Sequence, residues 1–140
     1  MTSLEAKSCF TKFNNFDFRI GQKEAIDFII NSKKKIVVIQ APTGAGKSLI
    51  GLCAGRVNGS MTYLVSTKSL QTQITDDFPE AVSLFGRSNY RCKHYQRITY
   101  DNCPDTECFT VCEYKRQRNV ILESDLRILN YAYFLNKVNY

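Results

Sequence analysis

Long apolar runs are missing from this chain of 140 residues. None approaches the roughly 20 residues needed to span a bilayer, so no membrane segment is expected. The opening residues, Met1 to Lys7, also lack the basic-then-apolar layout of a secretory leader. An intracellular, cytoplasmic location is therefore the expectation. There is no internal repeat and no low-complexity tract, which sets repeat architectures aside. Histidine is almost absent, with His94 the single one, so an imidazole-based metal or catalytic centre has little to draw on. What remains is a globular composition, 44% hydrophobic and 23% charged, enough for one domain with a core. The formal charge of +6 suits an anionic partner such as nucleic acid, or serves solubility alone.

The densest chemical signal is Ala41-Pro42-Thr43-Gly44-Ala45-Gly46-Lys47-Ser48. The preceding segment 35–40, Lys-Ile-Val-Val-Ile-Gln, is short and β-branched and predicts a buried parallel strand. The residues after Ser48 predict a helix. Gly44 and Gly46 allow positive φ, so that successive N–H groups turn inward on a phosphate. Lys47 supplies a point charge for the β- and γ-phosphates, and the Ser48 hydroxyl is a Mg²⁺ ligand. Thr43 and Ala45 complete the cradle, and the dipole of the following helix adds attraction for the anion. ATP with Mg²⁺ is the expected cofactor. Ala41 stands where the usual phosphate-loop pattern has its first glycine, a substitution small enough to be tolerated.

Helix and strand signals alternate along the chain. A helix is expected over 23–31, a strand over 61–66, a helix over 68–76, a strand over 126–130 and a helical turn over 131–138. That alternation implies a parallel α/β sheet. Residues 1–15 are a lead-in with little pattern, 16–85 form the nucleotide-binding portion, and 119–140 return the chain to it. Between them, residues 86–118 lose apolar periodicity and form an inserted, cysteine-rich subdomain.

Cys92, Cys103, Cys108 and Cys112 are spaced C-x10-C-x4-C-x3-C within that insertion. In a reducing compartment such a group points to metal or redox chemistry rather than to disulfides. Close pairs of the C-x2-C kind, usual in structural zinc sites, are absent. The longer gaps suit an iron–sulfur cluster better, with zinc as the less favoured alternative. His94, two residues from Cys92, is a weak extra candidate. Cys9 and Cys53 lie far away, and Cys53 is expected to pack in the core. The insertion carries seven basic against four acidic residues, a formal +3. Its Tyr90, Tyr95 and Tyr100 are suited either to stacking on bases of a single strand or to filling a small core.

Taken together, these segments resemble the iron–sulfur superfamily 2 DNA helicases of the DinG and XPD type. Phe18-Arg19-Ile20-Gly21-Gln22 is similar to the family's adenine-reading segment. Ala41 to Ser48 is similar to its phosphate loop, alanine included, and Thr67-Lys68-Ser69-Leu70-Gln71-Thr72-Gln73 to its first DNA-contacting motif. Gly86-Arg87-Ser88-Asn89-Tyr90-Arg91-Cys92 resembles the entry to the cluster domain, and Asn130-Tyr131-Ala132-Tyr133-Phe134-Leu135 the return to the motor. The resemblance implies an incomplete RecA-like P-loop fold with an inserted iron–sulfur subdomain, and ATP-dependent DNA helicase activity. It further implies that Arg19 and Gln22 contact the nucleotide, with the Gln22 amide on the adenine edge. Thr67 and Gln73 would touch the nucleic-acid backbone, and the four cysteines would hold a 4Fe-4S cluster. Single-stranded or forked DNA would be the partner.

A P-loop motor also needs an acidic residue at the end of a buried strand to hold Mg²⁺ and orient water. No such residue follows a suitable apolar run here. The resemblance puts the family's Asp-Glu-Ala-His box just beyond Tyr140. The chain is therefore expected to be an N-terminal piece whose partner is the C-terminal helicase portion, and to bind nucleotide without hydrolysing it alone. The other expectation is a metal-bearing nucleic-acid-binding or regulatory module with a vestigial nucleotide site.

Overall fold

The computed structural model describes residues 1–95, 97–104 and 112–136. Three short parallel strands form the sheet: β1 (Met61–Val65), β2 (Val82–Ser83) and β3 (Leu126–Asn130), in the order β1-β3-β2. β1 runs beside β3 from Met61 opposite Leu126 to Val65 opposite Asn130. β2 pairs with Arg127 and Ile128 on the other side of β3. The helices are α1 (Ser3–Ser8), α2 (Gln22–Asn31), α3 (Lys47–Val57), α4 (Lys68–Asp77), α5 (Glu113–Glu123) and α6 (Tyr131–Leu135). This is the parallel α/β arrangement that the alternating pattern predicts, with α3, β1, α4, β3 and α6 all close to their expected positions.

The strand expected over 35–40 does not form. Ile36 and Val38 are 81% and 84% exposed. A β-branched run becomes a strand only when a neighbour takes up its backbone groups, and all three strands of the sheet pair elsewhere. The phosphate loop therefore hangs from a segment without regular secondary structure, and side chains at and just before the start of α2 hold it instead.

Those helices pack around one core. Leu52 and Cys53 of α3, Ile26 of α2, Ile128 of β3 and Ala6 of α1 are fully buried together. Burial pushes the Cys53 thiol up to about 12, so it packs as a neutral hydrophobe. The lead-in, in which the sequence shows little pattern, contributes α1. Thr2 and Glu5 close a reciprocal cap at its N-terminus, while beyond it Phe10 meets Phe78 edge-on at 5.2 Å and Phe13 stacks on the same ring at 4.8 Å.

A second, smaller core belongs to the cysteine-rich segment. Tyr114 of α5 is buried with Leu84 and Ile121. Tyr100 stacks on Tyr114 at 4.2 Å and Tyr90 meets its edge at 5.4 Å. Of the two roles open to these tyrosines, Tyr90 and Tyr100 take the core one; Tyr95 is exposed. α5 escapes sequence reading because its apolar positions are sparse among Lys115, Arg116 and Arg118.

Candidate nucleotide and cysteine sites

The phosphate loop turns into α3 through two glycines in the left-handed region, Gly44 at φ 81° and Gly46 at φ 78°. These are the residues expected to need that freedom. The Lys47 ammonium lies on the loop's own rim, donating to the carbonyls of Ala41 at 3.1 Å and Pro42 at 2.9 Å. Ser48 sits in the first turn of α3, beside it.

Two side chains, one at the start of α2 and one just before it, clasp the loop from outside. Arg19 Nη1 donates to the Gly44 carbonyl at 2.7 Å, and Gln22 Nε2 to the Ala45 carbonyl at 2.9 Å. Gln22 is only 4% exposed, and its Oε1 accepts from the Arg19 backbone N–H at 2.9 Å. Because C=O and N–H of a peptide unit point opposite ways, holding both carbonyls toward α2 turns the following N–H groups away from it. The Ala45 N–H closes a turn on Pro42 O at 3.3 Å. Thus Arg19, Gln22, Thr43, Gly44, Ala45, Gly46, Lys47 and Ser48 are gathered in one place. The contact of Gln22 with the loop has no signature in sequence, since its two residues are 23 apart.

Gly46 is doubly constrained. A Cβ there would lie 2.3 Å from Gln22 Nε2, and the positive φ disfavours any side chain. Gly46→Ala should therefore dislodge Gln22 as well as strain the loop, lowering nucleotide affinity at least about tenfold. Isothermal titration with ATP checks this; wild-type affinity in the variant would contradict it.

Thr67 and Gln73 lie on α4, one at its head and the other on its outer side. Thr67 Oγ1 caps the helix by accepting from the Leu70 N–H at 3.2 Å, and both residues are exposed. Between them Gln71 is fully buried. Its amide donates to Ser83 Oγ and Leu84 O at 3.0 Å and accepts from Asn130 Nδ2 at 3.2 Å. The resemblance puts the whole segment at a nucleic-acid surface, whereas the structure splits it between surface and core.

Cys92, Cys103 and Cys112 line one small cavity with His94, Arg91 and Lys93. A bridge between Arg91 and Thr99 folds the chain back, which brings the Cys92 and Cys103 sulfurs to 4.0 Å. Cys112 is the residue at the head of α5. Cys108, the fourth expected ligand, lies outside the described residues. Among the described residues, no group of three Cys, His, Asp or Glu side chains is ready-arranged to hold a metal ion. What the structure does bring together is three of the four cysteines on one cavity, with Arg91 and Lys93 on the same lining; thiols are donors of the type that zinc and iron–sulfur centres use.

A glycine turn leading into the head of a helix, in a chain whose sheet is parallel α/β, is the arrangement of a P-loop nucleotide-binding protein. The sequence profile described as DEAD/DEAH box helicase matches residues 19–122, which is most of the chain. The chain belongs to that family. Neither the curated proteins nor the solved structures include a match. Membership brings ATP and Mg²⁺ as the family's cofactors, and the three-strand parallel sheet is consistent with a RecA-like domain. Among the described residues no helix is long and apolar enough to cross a membrane.

Proposed function

We propose that this chain is the ATP-binding, N-terminal portion of an ATP-dependent DNA helicase that carries an iron–sulfur cluster. The observation that carries the reading is the pairing of a clasped phosphate loop with three cysteines around one cavity. Lys47 and Ser48 would serve the triphosphate and its Mg²⁺, and Arg19 and Gln22 the nucleotide's outer edge. For Gln22 to read adenine, its amide must exchange its bonds to Ala45 O and Arg19 N–H for the base. Thr67 and Gln73 would meet the DNA backbone, roles that short hydroxyl and amide donors can fill. Cys92, Cys103, Cys108 and Cys112 would hold the 4Fe-4S cluster. When bound, such a cluster supplies a rigid inorganic centre and redox capacity. Hydrolysis would need a Mg²⁺-binding carboxylate and an arginine finger supplied from elsewhere, with a cytoplasmic, reducing location keeping the thiols available.

One distance favours zinc as a second reading. Four sulfurs about 2.3 Å from a single tetrahedral ion stand about 3.8 Å apart, close to the 4.0 Å between Cys92 and Cys103. Anaerobic purification separates the two. The iron reading expects a brown protein that loses its iron and its colour in Cys103→Ser. Colourless protein holding one zinc per chain would replace the cluster by an ion, and metal-free protein would remove both.

A further inference from the structure

Successive side chains of a strand point to opposite faces of its sheet, and β3 divides accordingly. Leu126 and Ile128 enter the main core. Arg127 and Leu129 instead line a cavity of about 220 Å³ with Ile121 of α5 and Phe134 of α6. Among the described residues of that lining there are two guanidiniums, Arg118 and Arg127, and no carboxylate. Neither arginine takes part in the ion pairs of the described residues, which are Lys23–Asp27, Arg56–Asp125 and Arg116–Glu113. Arg127 Nε is buried and has no hydrogen-bond partner among the described residues. A buried donor left unpaired is costly, so an atom in that state calls for an acceptor from outside the chain. Arg118 is exposed, yet it stands close enough to the Tyr133 hydroxyl to oppose the rise that burial imposes there.

We propose that this cavity binds a small amphipathic carboxylate, an aryl or alkyl acid whose apolar body lies on Ile121, Leu129 and Phe134 while Arg127 takes the carboxyl group. A planar guanidinium matches both oxygens of a carboxylate, and Arg118 adds positive charge from the solvent side. The cavity is smaller than the roughly 300 Å³ at which drug-sized sites begin. The ligand body is therefore about a phenyl ring with a short tail. A phosphate group is the poorer fit, because its further oxygens would exchange water for apolar side chains. The walls are set before any ligand arrives: Leu84 and Ile121 are buried in the second core, and the Tyr133 and Tyr114 hydroxyls meet at 2.7 Å. No lining residue belongs to the phosphate loop or to the cysteine set, so the proposal stands apart from the nucleotide and metal readings.

Titration calorimetry of the whole chain with cinnamate tests it. The wild type should bind cinnamate saturably with a dissociation constant below about 1 mM, and cinnamamide, its uncharged isostere, about tenfold more weakly. Arg127→Met keeps an apolar stem and removes the charge. It should weaken cinnamate about tenfold while the melting temperature equals or exceeds that of the wild type, because an unpaired buried donor has gone. Arg118→Gln, on an exposed side chain, should weaken binding about threefold without altering the melting temperature. It decides the matter if Arg127→Met does not fold. Lys47→Ala should bind cinnamate as the wild type does; loss there would move the anion to the phosphate loop and overturn the proposal. Equal binding of acid and amide, undiminished affinity in the folded arginine variants, or no saturable binding to the wild type would each overturn it. Release of bound cinnamate by an oligothymidylate would assign the cavity to nucleic acid and overturn it as well.

Discussion

Lys47→Ala is expected to abolish the rise in melting temperature that ATP and Mg²⁺ give the wild-type chain. A ligand at a hundred times its dissociation constant stabilises the folded state by about 2.7 kcal/mol, a shift of several degrees for a domain of this size. Removing the ammonium takes away the full positive charge set on the loop rim, at Ala41 O and Pro42 O. Lys47 is exposed, so its truncation should leave the unliganded melting temperature within about a degree of wild type. Metal content of the cysteine segment should also be unchanged, since the ammonium bonds to the loop itself. Thermal melting with and without ATP, with iron and zinc quantified on the same samples, measures all three. An undiminished ATP shift would mean that triphosphate is held somewhere other than this loop.

Gln71→Leu should have the largest effect on stability of any single change on α4. The side chains are of similar size, so packing is nearly conserved and the loss is one of hydrogen bonds. Leu84 O and Ser83 Oγ would lose a buried donor, and Asn130 Nδ2 a buried acceptor. Ile128 O, at 3.3 Å from the Gln71 amide, keeps the Leu84 N–H at 3.3 Å. At about 1–3 kcal/mol for each buried group left unpaired, the cost is about 3 kcal/mol or more. That is a large part of the 5–15 kcal/mol typical of a domain. Urea unfolding would record it as a lowered midpoint; a change below about 1 kcal/mol would show that water or repacking replaces the amide. Gln73→Leu, two residues further on an exposed face, should change stability little.

Local signals were legible and non-local ones were not. The two glycines, the lysine and the serine of the loop can be read in sequence because a turn into a helix is decided by residues next to one another. α2, α3 and α4 were legible for the same reason, each having its apolar face within ten or eleven residues. The segment 35–40 has strand composition, but a strand needs a partner, and β1, β2 and β3 pair without it. β2 is two residues long and offers no period. α1 offered only Ala6 and nearby Phe10, whose burial depends on α3 and on Phe78, far along the chain.

By itself the sequence determined the chemistry of the nucleotide loop, the clustering of four cysteines and the alternation that makes a parallel α/β protein, because spacing and composition act over a few residues. Tertiary structure alone decided that Gln22 and Arg19 clasp the loop, that Gln71 belongs to the core while Thr67 and Gln73 face outward, and that Tyr90 and Tyr100 pack on Tyr114. It also decided that the turn after β2 and the end of β3 line one cavity. Each of these joins groups separated by ten residues or more, and only the folded chain brings such groups within reach of a hydrogen bond.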